Sequence, residues 1–211
     1  FCEAKCPYCD FNSYVSATVD NDIWERALLS ELSRHGELTQ DRLLNSIFFG
    51  GGTPSLMPPK MVKELIDRAR SHWAFANDIE ITLEANPSSV EASRFADFRA
   101  AGVNRISMGI QALNDPDLKR LGRLHSVAEA RSALAVAKTY FERVSFDLIY
   151  ARQNQTLEAW QNELTEAIEL SAGHLSLYQL TIEPGTAFGF RAQAGKLGGL
   201  PTEDLSADMF D

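Results

Sequence analysis

Cys2, Cys6 and Cys9 are the only cysteines in a chain of 211 residues, and they stand in one short segment with the spacing C-x3-C-x2-C. An odd, tightly grouped set is poor material for a disulfide framework and points to a reducing compartment. Three chemistries compete for it. A structural zinc site wants four ligands, and the nearest histidine, His35, lies well outside the segment. A dithiol exchange site could use Cys6 and Cys9, best with a low-pKa thiolate at a helix N-terminus, but it gives Cys2 no role. An iron–sulfur cluster takes thiolates, normally four for [4Fe–4S], and three would leave one iron open to another ligand.

Polar and glycine-rich positions elsewhere sit where a small ligand could be met. Gly50-Gly51-Gly52-Thr53-Pro54 follows the apolar run Ser46–Phe49. Glycine has no side chain to keep backbone away from a ligand. Glu84 and Gln111 stand near the ends of two further strand-like runs, and ligand sites gather at strand C-termini in parallel α/β sheets and barrels.

The elements that must position these residues alternate. Strands are expected over 46–49, 79–85, 105–110, 143–150 and 175–180. Helices are expected between them. One runs from Asp20 or Asp22 to Arg34 and is stopped by Gly36. Another spans Pro59 to Arg70. Ser88-x-x-Glu91 opens one to Ala101, closed by Gly102, and Ser126-x-x-Glu129 opens one to about Tyr140. The last spans Thr156 to Leu170. Strand then helix, repeated, means parallel strands with helical crossovers.

The strands are two-faced. Ile81 and Leu83 oppose Thr82 and Glu84; Ile106, Met108 and Ile110 oppose Arg105, Ser107 and Gln111; Val144, Phe146 and Leu148 oppose Ser145 and Asp147. A doubly covered sheet should read as continuous apolar runs, and a closed eight-stranded barrel has an apolar lumen. One apolar and one polar face suits an incomplete, wider barrel with helices outside and ligand inside.

Lys and Arg number 20 against 29 Asp and Glu, giving a net charge of −9. That balance lacks the basic footprint of a nucleic-acid binder. Nothing approaches 18 consecutive apolar residues, so no transmembrane segment is expected, and there is no secretory signal pattern. A cytoplasmic location is therefore expected. The chain opens Phe1-Cys2 without an initiator Met and is read as a fragment whose start lies upstream.

Taken as a set, the motifs carry a resemblance. They are Cys2-Glu-Ala-Lys-Cys6-Pro-Tyr-Cys9-Asp-Phe-Asn-Ser, Phe49-Gly-Gly-Gly-Thr-Pro-Ser, Leu83-Glu-Ala-Asn-Pro, Arg105-Ile-Ser-Met-Gly-Ile-Gln111, Leu121-Gly-Arg123 and Asp147-Leu-Ile-Tyr150. The sequence resembles the radical S-adenosylmethionine (SAM) superfamily and, within it, the oxygen-independent coproporphyrinogen III oxidase family and its HemW-type heme chaperone branch. The resemblance implies a partial (β/α)6 barrel over 1–199, with the first strand upstream of Phe1, and 200–211 as the start of a truncated C-terminal domain.

It also implies roles. Cys2, Cys6 and Cys9 would hold a [4Fe–4S] cluster, Tyr8 would pack on the adenine of SAM, and Gly51, Gly52 and Thr53 would bond its methionine part. Glu84 would contact SAM, while Gln111, Arg123 and Asp147 match contacts to a second SAM. The oxidases continue the cluster loop as Cys-Gly-Cys; here it is Cys9-Asp10-Phe11, the pattern of the chaperone branch. The function implied is to bind heme and pass it to an acceptor protein. The alternatives are oxidative decarboxylation of coproporphyrinogen and, more remotely, the dithiol chemistry of glutaredoxins, whose active-site tetrapeptide is Cys-Pro-Tyr-Cys.

Overall fold

The computed structural model describes residues 1–211 except for the side chain of Ser89. Five strands, β1 (Leu43–Phe49), β2 (Ala74–Ala85), β3 (Arg105–Gln111), β4 (Arg143–Tyr150) and β5 (Leu175–Gln179), lie side by side in chain order, all parallel. The sheet curls into a partial barrel with helices on its outer side.

The outer face is the core. Ile81, Leu83, Ile106, Met108, Ile110, Val144, Phe146 and Leu148 are all buried. The helices that cover them are α2 (Pro59–His72), α3 (Ser89–Ala92), α4 (Phe95–Ala101), α6 (Val127–Tyr140) and α7 (Leu157–Leu170); α1 (Asn21–Leu38) packs on α2, α5 (Asp115–Arg120) and α8 (Ala187–Gln193) share a second apolar cluster, and α9 (Glu203–Phe210) closes the chain against α7. Val62 and Ile66 of α2, Phe95 and Phe98 of α4 and Trp160 of α7 are the large contributors to the same cluster. Each such side chain contributes about 1.5–3 kcal/mol when fully buried. Ala130, Ala133 and Ala137 of α6 share one helical stripe and are buried, so this helix lies close on the sheet.

The inner face is polar, as the alternation predicts, and its buried groups are bonded. Ser145 Oγ donates to Ser107 Oγ at 3.2 Å and accepts from Arg105 Nη2 at 3.2 Å. Arg105 and Arg143 are register partners, and Glu80 accepts from both, at 2.8 and 3.4 Å. That carboxylate offsets two like charges placed opposite one another.

Three sequence expectations change. Gly36 does not stop α1, which runs on to Leu38. Gly36 is buried, and a Cβ there would strike the His72 ring, so its glycine serves a close α1–α2 approach. The helix expected over 88–101 is two, α3 and α4, broken around Arg94. Ser88 Oγ does accept from Glu91 N, but the Glu91 carboxylate turns away to Asn86 N and Ser55 Oγ, leaving only half a capping box. The short helices α5 and α8 were not foreseen. All five expected strands are present, though β1 and β2 begin earlier, at Leu43 and Ala74; the Ser126/Glu129 capping box and the Gly102 cap at φ 110° are as expected.

Candidate cluster and cofactor site

The cysteine loop lies across the C-terminal ends of the strands and is fixed there by its backbone. Thr53 N, beyond β1, donates to Phe1 O at 2.7 Å, and Phe188 N, in α8 beyond β5, donates to Pro7 O at 2.8 Å. Cys2 N donates to Tyr14 O at 3.0 Å and Cys9 N to Cys6 O at 3.1 Å, so the loop closes on itself. Lys5 Nζ donates to Phe11 O and Ser13 O across the turn.

Two glycines permit this seat. A Cβ on Gly52 would stand 2.5 Å from Phe1 O, and one on Gly122 would stand 2.7 Å from Pro7 Cδ. Gly122 also has φ 68°, a conformation that L residues rarely adopt. Gly52 is thus occupied by the chain's own loop. Gly51 faces open space, with φ 114° and nothing within 4 Å of where a Cβ would be, and its N–H donates to Glu84 Oε2 at 3.2 Å.

Arg123 joins the loop to the barrel. Its Nη1 donates to Cys6 Sγ at 3.3 Å, and its Nη2 donates to Asn86 Oδ1 at 2.5 Å and to Gly109 O at 2.7 Å. It is not the surface charge that a residue after Leu-Gly could have been. Asn86, which sequence reasoning passed over although it lies in Leu83-Glu-Ala-Asn-Pro, is the hub. Its Nδ2 donates to Thr53 Oγ1 at 3.3 Å and its N to Glu91 Oε2 at 2.7 Å.

Tyr8 packs against the apolar cluster of Leu118, Leu121, Ile149, Leu180 and Phe188, with its hydroxyl beside Arg123 and Cys6. Burial pushes that hydroxyl above its ordinary range. Gln111 ends β3 with φ 78°, where a non-glycine residue carries backbone strain. Its Nε2 lies over Gly109, 3.0 Å from a Cβ built there.

Glu84 and Asp147 share the inner face. Burial raises both carboxyls; Asp147 reaches about 6, with the Glu84 charge adding and Ser176 and Arg123 opposing. The ordinary value is 3.8, so the folded state holds an extra proton between these limits, and stability falls as pH rises through that window. Glu84 contributes with the same sign. Asp147→Asn is therefore expected to raise the melting temperature of the metal-free protein at pH 7 and to lose that gain by pH 4. Parallel melting curves for parent and variant across this range would show a well-solvated Asp147 instead.

His125 is buried, with Nε2 3.1 Å from Ile110 O, and burial beside Arg123 pushes it down to about 4. It is neutral and serves the fold. A cavity of about 380 Å³ lies elsewhere, between α9 and the ends of β4 and β5, lined by Leu180, Leu200 and Phe210 among others; no cysteine or loop glycine borders it.

No helix begins at Cys6-Pro7-Tyr8-Cys9; the first starts at Asn21. The dithiol reading therefore lacks the helix N-terminus that would favour a thiolate, and burial pushes the Cys9 thiol up. Among the described residues no three of His, Cys, Asp and Glu converge on a single ion. Likewise among them, no helix is long and apolar enough to cross a membrane.

Residues 1–166 match the radical SAM superfamily. The chain belongs to that superfamily. Radical SAM membership implies a [4Fe–4S] cluster and SAM as cofactors. The residues present fit them: three thiols on one anchored loop, a cationic donor on one sulfur, and an open glycine backbone beside a lumen carboxylate. The chain is 45% identical over 220 residues to the heme chaperone HemW of Haemophilus influenzae and 44% identical over 213 residues to that of Escherichia coli, covering all of this chain and 55% of each relative. It thus spans about half the length of these curated relatives. Among solved structures, the coproporphyrinogen III oxidase of Escherichia coli, described as a radical SAM enzyme, superposes with a TM-score of 0.83 at 27% identity, over 99% of this chain and 48% of that one.

Proposed function

We propose that this chain is the cluster- and SAM-binding part of a heme chaperone, which binds heme and passes it to an acceptor protein in the cytoplasm. The observation that carries the choice is Phe11, 58% exposed on the cluster loop where the oxidase pattern has a thiol. Identity to two proteins named heme chaperone supports it. A flat apolar ring is held mainly by non-directional burial, and an exposed phenyl beside the cluster offers that.

In this reading Cys2, Cys6 and Cys9 hold the cluster, and the remaining part of the relatives' length completes the protein beyond a barrel of 1–199. Gly51, Thr53 and Glu84 face the methionine end of SAM, and Gly52 acts by seating the cluster loop. Tyr8 borders the adenine. Gln111, Arg123 and Asp147 line a neighbouring subsite, where the raised Asp147 carboxyl can hold or release a proton near neutral pH. When bound, the cluster and SAM supply one-electron chemistry; the protein positions them and excludes water.

The second reading is oxygen-independent coproporphyrinogen III oxidase, favoured by the 0.83 TM-score with that enzyme. Two assays on the full-length protein, reconstituted anaerobically with SAM and reductant, separate them. Absorbance titration should show saturable heme binding, and chromatography should show coproporphyrinogen III unconverted. Phe11→Cys should not restore conversion, because reacting atoms must be held within about 3–3.5 Å. Steady formation of protoporphyrinogen by the unmodified protein would promote the oxidase.

A further inference from the structure

We infer that Arg123 is a hydrogen-bond donor to the cluster itself, through the sulfur of Cys6, and sets how readily that cluster is reduced. The inference rests on Cys2, Cys6 and Cys9 being its ligands, and it concerns a role apart from any contact of Arg123 with SAM.

The geometry is built from both sides. Arg123 leaves α5 through a tight turn: Gly122 N donates to Lys119 O at 3.1 Å and Arg123 N to Leu118 O at 2.9 Å. Pro7, next to Cys6, rests on that turn with no room for a side chain at Gly122. The guanidinium is then held at its far edge. Nη2 is shared by Asn86 Oδ1 and Gly109 O, and Asn86 is fixed in turn by Glu91 and Thr53. With Nη2 fixed, the planar fork presents Nη1 to Cys6 Sγ at 3.3 Å. Nε is buried with no partner among the described residues.

A cationic donor on a ligand sulfur draws charge from it. Reduction adds an electron, so the donor favours the reduced cluster. Hydrogen bonds to the sulfurs are among the factors that set iron–sulfur potentials. Lysine keeps the charge but has no fork to hold Asn86 and Cys6 together.

The test uses the full-length protein reconstituted anaerobically without SAM, as parent, Arg123→Gln, Arg123→Lys and Asn86→Ala. Iron content and an EPR-monitored redox titration are read for each. All four should assemble the cluster. The midpoint should move to more negative potential in Arg123→Gln, less so in Arg123→Lys, and in the same direction in Asn86→Ala, with altered EPR g-values. A parent-like potential and spectrum in Arg123→Gln overturns the inference. If that variant takes up no iron, Asn86→Ala decides: a shifted potential supports the donor and an unshifted one overturns it. Failure of the parent to bind iron overturns the cysteine assignment, and this inference with it.

Discussion

Alanine at any one of Cys2, Cys6 or Cys9 is expected to abolish iron binding, whereas the parent should take up about four irons per chain on anaerobic reconstitution. The expected effect is all-or-none because these are the only cysteines in the chain, so no spare thiol can substitute. Among the described residues no other acidic or histidine group completes a single-ion site with them. The loop is seated mainly by main-chain bonds from Thr53 and Phe188 to Phe1 and Pro7, and the sulfur of Cys6 adds one side-chain tie by accepting from Arg123 Nη1. The Cys2 and Cys9 variants should therefore keep the circular-dichroism spectrum and melting temperature of the metal-free parent while losing iron, and the Cys6 variant should keep the spectrum but melt lower, because a buried arginine N–H loses its acceptor. A parent that instead binds one zinc tightly and rejects iron would remove the basis of the whole site.

How much of this was legible beforehand follows from the range of each interaction. The cysteine loop, the triple glycine and the two-faced strands are local patterns, so period and spacing exposed them. Asn114 and the Pro116 that follows announce α5, but six residues are too few for a helical period to register. Ser88 and Glu91 have capping-box spacing, yet tertiary partners 5 and 36 residues away claim the Glu91 carboxylate. Gly36 illustrates the same ambiguity, since a glycine can end a helix or admit a neighbour. Arg123 was found only through resemblance. Its bond to Cys6 spans 117 residues, a distance at which spacing carries no information. Nothing local marked Asn86, because an asparagine before a proline usually reads as a turn.

Arg152→Met is expected to destabilise the protein by about 3–5 kcal/mol, the range for removing one partner of a buried ion pair. Native domains hold about 5–15 kcal/mol in total, so this is a large fraction. Arg152 is 3% exposed. Its Nε donates to Asp117 Oδ2 at 3.0 Å, its Nη2 to Glu163 Oε2 at 2.5 Å and its Nη1 to Ile149 O at 2.5 Å. Methionine fills similar volume but leaves the buried Glu163 carboxylate without a cation, while Asp117 keeps only the half-exposed Arg120, at 2.9 Å. Glu163 also accepts from Leu113 N at 2.6 Å, and Asp117 lies in α5, so the cluster ties α7 to the segment that ends in Arg123. Loss of the cation should therefore loosen the Arg123–Cys6 contact as well as the fold. Adding Glu163→Gln to Arg152→Met should recover much of the loss, since the unpaired Glu163 charge is its main cause. Urea unfolding at pH 7.5 measures both the loss and its recovery. A loss below about 1 kcal/mol at pH 7.5, typical of an exposed pair, would mean that water reaches this network and that it does not brace the site.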